Sequence, residues 1–202
     1  MKLILFDFDG VLVDTLGITY SMDVEMNQHL SLEEHKSFFG GNIHNAVRKN
    51  GAPINYSSDY DKIYRIKTRE VKVPDKLKEL VKKLSKEYNL VIVSSTPSTT
   101  IREILEREGI ASYFNDFFGS DVHKSKVIKI KMLLEKYKVP PEEAVYITDT
   151  TGDIMEAREC GVKSIAVTWG FHDEKTLLKA NPEKIISNPG DLVKAVKEIK
   201  YG

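Results

Sequence analysis

The sequence predicts an α/β fold: a doubly wound parallel sheet with a small helical segment inserted after the first strand. Three observations lead there. From residue 74 onward, short apolar runs alternate with amphipathic stripes of helical period. The runs are continuous, without the polar alternation of a half-exposed strand, so they suit a sheet covered by helices on both faces. Residues 15–73 break this alternation, contain no convincing strand and show helical spacing instead.

The elements follow in order. Residues 3–9, Leu-Ile-Leu-Phe-Asp-Phe-Asp, read as a buried strand with two acids at its end. In the insert, Ile18, Met22 and Met26 suggest one helix, Ile43, Ala46 and Val47 a second, and Ile63 and Ile66 a third, with breaks at Gly40-Gly41 and Asn50-Gly51-Ala52-Pro53. Leu77, Leu80, Val81, Leu84 and Tyr88 stripe the next helix, and Leu90–Val93 is a strand. A helix is predicted over 100–108, with Thr100 and Glu103 spaced as a capping box and Gly109 at its end. Phe114–Phe118 is a short strand. Val127, Ile130, Leu134 and Tyr137 stripe a helix stopped by Pro140-Pro141. Ala144–Ile147 is a strand, 153–160 a helix closed by Gly161, and Ser164–Val167 a strand. Leu192, Ala195, Val196 and Ile199 mark the last helix.

Composition narrows the function. The chain has 202 residues, with 30 Lys plus Arg balancing 30 Asp plus Glu. Zero net charge argues against a nucleic-acid coat or a polybasic membrane adaptor. Hydrophobic residues reach 41%, enough for a packed core. A single cysteine, Cys160, excludes an internal disulfide framework and a cysteine-based zinc site, and is expected to be a small core residue. The apolar start is interrupted at once by aspartates, unlike a signal peptide, and no window resembles a membrane span. A soluble, cytoplasmic protein is expected, as a monomer or homodimer, with neither nucleic acid nor membrane as partner.

In parallel sheets a ligand sits beyond the carboxyl ends of the strands, and polar residues collect there. Asp7 and Asp9 end the first strand, Ser94 and Ser95 the second, and Asp149 follows Thr148 after the fourth, with Asp153 close behind. Lys124 precedes a helix start. Side chains two apart share one side of a strand, so Asp7 and Asp9 are expected to face one site. Any one of these acids is common at a strand end. Their recurrence at successive strand ends is what points to chemistry. Several carboxylates in a partly buried place repel one another unless a hard cation joins them. Magnesium, which takes oxygen ligands and binds alongside phosphate, suits the set. Hydroxyls, backbone amides and the lysine would then cradle a phosphate.

These residues resemble the haloacid dehalogenase superfamily, in its phosphoglycolate phosphatase-like branch. Asp7-Phe8-Asp9-Gly10-Val11-Leu12-Val13-Asp14 is similar to the first motif, and Val91–Ser95 to the second. Lys124 stands 25 residues before Asp149, a spacing similar to that of the third and fourth motifs. Thr148-Asp149-Thr150-Thr151-Gly152-Asp153 is similar to the fourth, with Thr148 in place of the usual glycine, and Ser125 follows the lysine where proline is usual. Val167-Thr168-Trp169-Gly170 is similar to a segment common in that branch.

The resemblance implies a Rossmann-like core, 1–14 and 74–202, with 15–73 as a small cap hinged near Thr15–Gly17 and Val73–Pro74. It implies a magnesium-dependent phosphatase acting on a small phosphorylated metabolite, phosphoglycolate-like or a sugar phosphate. Asp7 would be the nucleophile that becomes an aspartyl-phosphate, and Asp9 the general acid and base. Asp7, Asp149 and the Asp9 carbonyl would hold Mg2+, with Asp153 as a further ligand or behind the ligands. Ser94, Ser95 and Lys124 would bind the phosphate. The presence of Asp9 argues against carbon–halogen chemistry, whose members lack that aspartate. A phosphomutase of the same fold and a catalytically idle phosphate-binding domain are the alternatives. In the insert, His29, His35 and His44 show no ligand spacing, Tyr56, Tyr60 and Tyr64 read as a packing stripe, and Arg48, Arg65 and Arg69 could meet an acidic substrate.

Overall fold

A computed structural model describes residues 2–26, 29–42 and 58–199. Six strands, β1 (Leu3–Phe6), β2 (Asn89–Val93), β3 (Asp116–Phe118), β4 (Ala144–Thr148), β5 (Lys163–Val167) and β6 (Lys184–Ile186), form one parallel sheet in the order β3-β2-β1-β4-β5-β6. Leu3 stands level with both Asn89 and Ala144, so β1 is central and the segments leaving β1, β2 and β4 emerge side by side.

Alternation along β1 sends Ile4 and Phe6 to one face and Leu3 and Leu5 to the other, all fully buried. The first face is covered by α4 (Asp75–Leu84), α5 (Ser98–Arg107) and α9 (Leu192–Lys197), the second by α6 (Lys126–Tyr137) and α7 (Thr151–Glu159). This is the doubly wound arrangement expected. Each fully buried Leu, Ile or Val contributes about 1.5–3 kcal/mol, which makes the sheet a rigid frame for the loops above it.

Several boundaries differ from expectation. β1 ends at Phe6, because Gly10 turns the chain at φ +74° and the Gly10 amide bonds the Val13 carbonyl at 2.8 Å. Helix α5 starts at Ser98 behind Pro97, so Thr100 lies inside it and no capping box forms there. A capping box forms instead in the insert, between Ser31 and Glu34. Helix α8 (Glu174–Leu178) and strand β6 were not anticipated. With five and three residues, they are too short to show a period.

The described part of the insert holds α1 (Leu16–Met26), α2 (Leu32–Ser37), a short turn of 3-10 helix (Phe38–Gly40) and α3 (Ser58–Lys67). Met22, Leu30, Phe38, Tyr60 and Tyr64 form a small core of their own. Inside it His35 Nδ1 meets Asp23 Oδ2 at 2.8 Å, both fully buried. The helix expected around Ile43, Ala46 and Val47 lies outside the described residues, as do His44, Arg48 and Tyr56.

The insert seats on the carboxyl edge of the sheet. The Phe39 and Phe171 rings meet edge to face, 4.7 Å apart. His172 accepts from the Thr151 amide through Nδ1 at 3.1 Å, so its Nε2 carries the proton and donates to the Lys36 carbonyl at 2.9 Å. Backbone meets backbone at Gly152, where a Cβ would lie 2.5 Å from the Gly41 carbonyl oxygen, so only glycine permits this seating.

Candidate active site

Asp7 follows the last residue of β1, and its amide still bonds the Ile147 carbonyl of β4 at 2.9 Å. One carboxyl oxygen accepts from the Phe8 amide at 2.8 Å, and the other faces Lys126 Nζ at 3.0 Å. Lys126 also reaches Asp153 Oδ2 at 2.7 Å, and the same oxygen accepts from Thr148 at 2.8 Å and Tyr146 at 3.1 Å. Burial opposes the charge on Lys126, but Asp153 and Asp7 outweigh it and raise its pKa. The two acids divide that benefit unequally. Burial lifts Asp7 well above the usual carboxylate range, only partly offset by Lys126. Burial pulls Asp153 the same way, but Lys126 and the hydroxyl bonds win and lower it.

Asp149 follows β4 and is completely buried. Its Oδ2 accepts from the Phe171 amide at 2.7 Å, while its Oδ1 is buried without a partner. Backbone crowds this carboxylate on two sides: a Cβ on Gly10 would lie 1.9 Å from Oδ2, and one on Gly170 would lie 2.2 Å from it. The Val167–Gly170 segment therefore serves to bring backbone against Asp149. Burial pushes the Asp149 pKa up to about 7, against the Phe171 amide bond that lowers it.

Three buried carboxylates thus stand around one firmly charged ammonium, and one carboxyl oxygen lacks a partner. That donor set fits a hard divalent cation. Among the described residues no three His, Cys or acidic side chains converge to enclose an ion on their own. Magnesium does not require that, since it keeps several waters and takes substrate phosphate as a ligand.

The Asp149 shift yields a pH prediction. A carboxyl whose folded pKa is about 7 against an ordinary 3.8 binds its proton more tightly folded than unfolded. Stability from this source is full below the unfolded pKa and is lost as pH rises towards 7, by at most ~4 kcal/mol. With chelator present, Asp149→Asn should therefore melt above the parent at pH 8, by ~1–3 kcal/mol, and the gap should narrow at pH 5. Added Mg2+ should raise the parent and leave the variant unmoved. A variant that melts below the parent at pH 8 would remove the electrostatic cost assigned to Asp149.

Asp9 is surrounded by hydroxyls. Oδ1 accepts from Thr15 at 2.8 Å and from Tyr64, and Oδ2 from Thr96 at 2.7 Å and Ser94 at 3.4 Å. Ser94 Oγ in turn accepts from the Thr96 amide at 3.0 Å, which curls the end of β2 around the site. Beneath this loop the fully buried Lys129 donates to the Ser94 carbonyl, and burial pushes its pKa down to about 7. Asp7, Asp9, Ser94, Ser95, Lys126 and Asp153 line a cleft of about 80 Å³, flanked on the insert side by Thr19, Phe39, Tyr60, Asp61 and Tyr64.

Sequence and structure part over the lysine. Lys124 is exposed and absent from this space, and Lys126 takes the position expected of it. The reason is the helix start. Ser125 is the N-cap, accepting from the Ile128 amide, so Lys124 precedes the helix and Lys126 opens its buried face. That face includes Lys126, Lys129, Ile130 and Leu133, a spacing readable in the sequence. Thr96, which ends the second strand with Ser94 and Ser95, also reaches the site, whereas Tyr64 and His172 carry no site signal in the sequence. Tyr60 and Tyr64 do pack as a stripe, but the Tyr64 hydroxyl leaves the insert core and ends on Asp9.

The chain is similar to known proteins over most of its length. The family model of haloacid dehalogenase-like hydrolases matches residues 4–167. Phosphoglycolate phosphatase of Vibrio parahaemolyticus is 26% identical, over 97% of this chain and 96% of its own. That of Synechococcus elongatus is 27% identical, over 98% and 99%. A crystal structure of a predicted phosphatase from Clostridium acetobutylicum superposes with a TM-score of 0.78 at 26% identity, covering 98% of both chains.

Proposed function

The chain belongs to the haloacid dehalogenase-like hydrolases, and from that premise we propose that it is a magnesium-dependent phosphatase that hydrolyses a small phosphorylated metabolite through an aspartyl-phosphate. The observation that carries the reading is Asp7, a buried carboxylate at the end of the central strand, held 3.0 Å from Lys126 and two residues from an acid ringed by hydroxyls.

In this reading the Asp7 oxygen beside Lys126 attacks phosphorus, forming a new O–P bond while the bond to the leaving oxygen breaks. Asp9 gives its proton to that oxygen, then takes one from the water that cleaves the aspartyl-phosphate. Lys126 balances the charge gathering on the phosphoryl oxygens. Asp153 orients Lys126, because its Oδ2 is already engaged by Lys126, Thr148 and Tyr146. The Ser94–Thr96 loop holds the phosphate. Mg2+, held by Asp7, Asp149 and the Asp9 carbonyl, would offset the charge these acids bring together. Residues 15–73 act as a cap over the core, hinged near Thr15 and Val73, and their closure excludes water.

The hydroxyls and the Lys126 ammonium that line the space suit a phosphoryl group. The experiment is a screen of small phosphorylated metabolites with Mg2+ in ¹⁸O-labelled water. Label is expected in free phosphate. Transfer to a second position on the substrate, with little free phosphate, would instead indicate a phosphomutase.

A further inference from the structure

A tyrosine of the insert reaches directly to Asp9. Tyr64 projects from α3, buried at 4% exposure, and its hydroxyl donates to Asp9 Oδ1. The two oxygens of Asp9 are held from different sides. Oδ2 is bound by Thr96 and Ser94, both at the end of β2 in the core. Oδ1 is bound by Thr15, where the chain enters the insert, and by Tyr64 within it. Oδ1 is thus the oxygen turned towards the insert.

That is also where a leaving group must lie. Displacement at phosphorus runs roughly in line, so with Asp7 attacking from the core the departing oxygen points the other way, into the insert. Four hydroxyls point at the Asp9 carboxyl, more than enough to fix its rotamer. Burial, with the Asp9 carboxylate beside it, holds the Tyr64 phenol well above its ordinary range, so the hydroxyl keeps its proton and acts as a donor.

We propose that Tyr64 is a positioning residue for proton transfer, holding the Asp9 carboxyl in the orientation from which Oδ1 protonates the leaving oxygen. The inference rests on Asp9 being the general acid. The proton passes from Asp9 to the leaving oxygen as its bond to phosphorus breaks. Tyr64 donates a hydrogen bond throughout and exchanges no proton. Tyr60, one helical turn earlier, is not equivalent, because its hydroxyl reaches Asp23 inside the insert at 3.4 Å.

The test compares leaving groups that differ in their need for a proton. Acetyl phosphate releases acetate, which departs as a stable anion. A small alkyl phosphate such as 2-phosphoglycolate releases an alkoxide, which must be protonated. The readout is kcat/KM, which reports the first chemical step. Tyr64→Phe keeps the ring in the insert core. It should lower kcat/KM for the alkyl phosphate by ~10–100-fold and for acetyl phosphate by less than ~3-fold. Tyr60→Phe should affect both substrates equally. An equal loss on both substrates with Tyr64→Phe, or no loss on either, overturns the proposal. Asp9→Asn separates it from the reading beneath. If Asp9→Asn penalises the alkyl phosphate selectively and Tyr64→Phe does not, only the role of Tyr64 falls. If Asp9→Asn shows no selectivity, the acid role of Asp9 falls with it.

Discussion

Asp7→Asn should abolish turnover, by ~10⁴-fold or more, in a protein that still folds. The substitution removes the nucleophilic charge and almost no volume. The Phe8 amide keeps an acceptor at the same position. The fold should not suffer, because burial already disfavours a charged Asp7 and the Lys126 ammonium keeps Asp153 as a partner. Phosphate release and a thermal melt on the same preparation decide the matter. A folded Asp7→Asn protein with more than a trace of parental activity would remove Asp7 from the nucleophile's role.

The two lysines should separate sharply. Lys126→Met keeps an apolar stem but leaves two buried carboxylates, Asp7 and Asp153, without their shared ammonium. Breaking a buried pair in this way costs about 3–5 kcal/mol, and the lost charge balance at the phosphoryl group should cost ~10²–10³-fold in rate. Because the Lys126 pKa is raised, its contribution is full below the unfolded lysine pKa and fades only as pH rises through the folded value, so the loss should be present across the neutral range. Lys124→Ala removes an exposed side chain and should change stability by no more than ~0.5 kcal/mol. Activity and melting of both variants test this directly. A large loss from Lys124→Ala with an unaffected Lys126→Met would restore Lys124 to the site.

The alternation of apolar runs and striped helices was enough to give the parallel sheet and its two helical layers, because burial on both faces leaves a continuous apolar signature. Asp7, Asp9, Ser94, Ser95, Asp149 and Asp153 were legible because a parallel sheet gathers its strand ends along one edge. What the sequence could not decide were relations between elements. Lys124 and Lys126 lie two residues apart, and the helix start at Ser125 turns one outward and the other onto Asp7. Tyr64 obeys a packing period in its own helix, yet the seating of the insert, through Gly152 against Gly41 and His172 against Lys36, carries its hydroxyl to Asp9. Periodicity records which face of an element is buried. Which charged or polar head meets which depends on how separate elements pack, and that is settled by contacts between residues far apart in the chain, which no local pattern encodes.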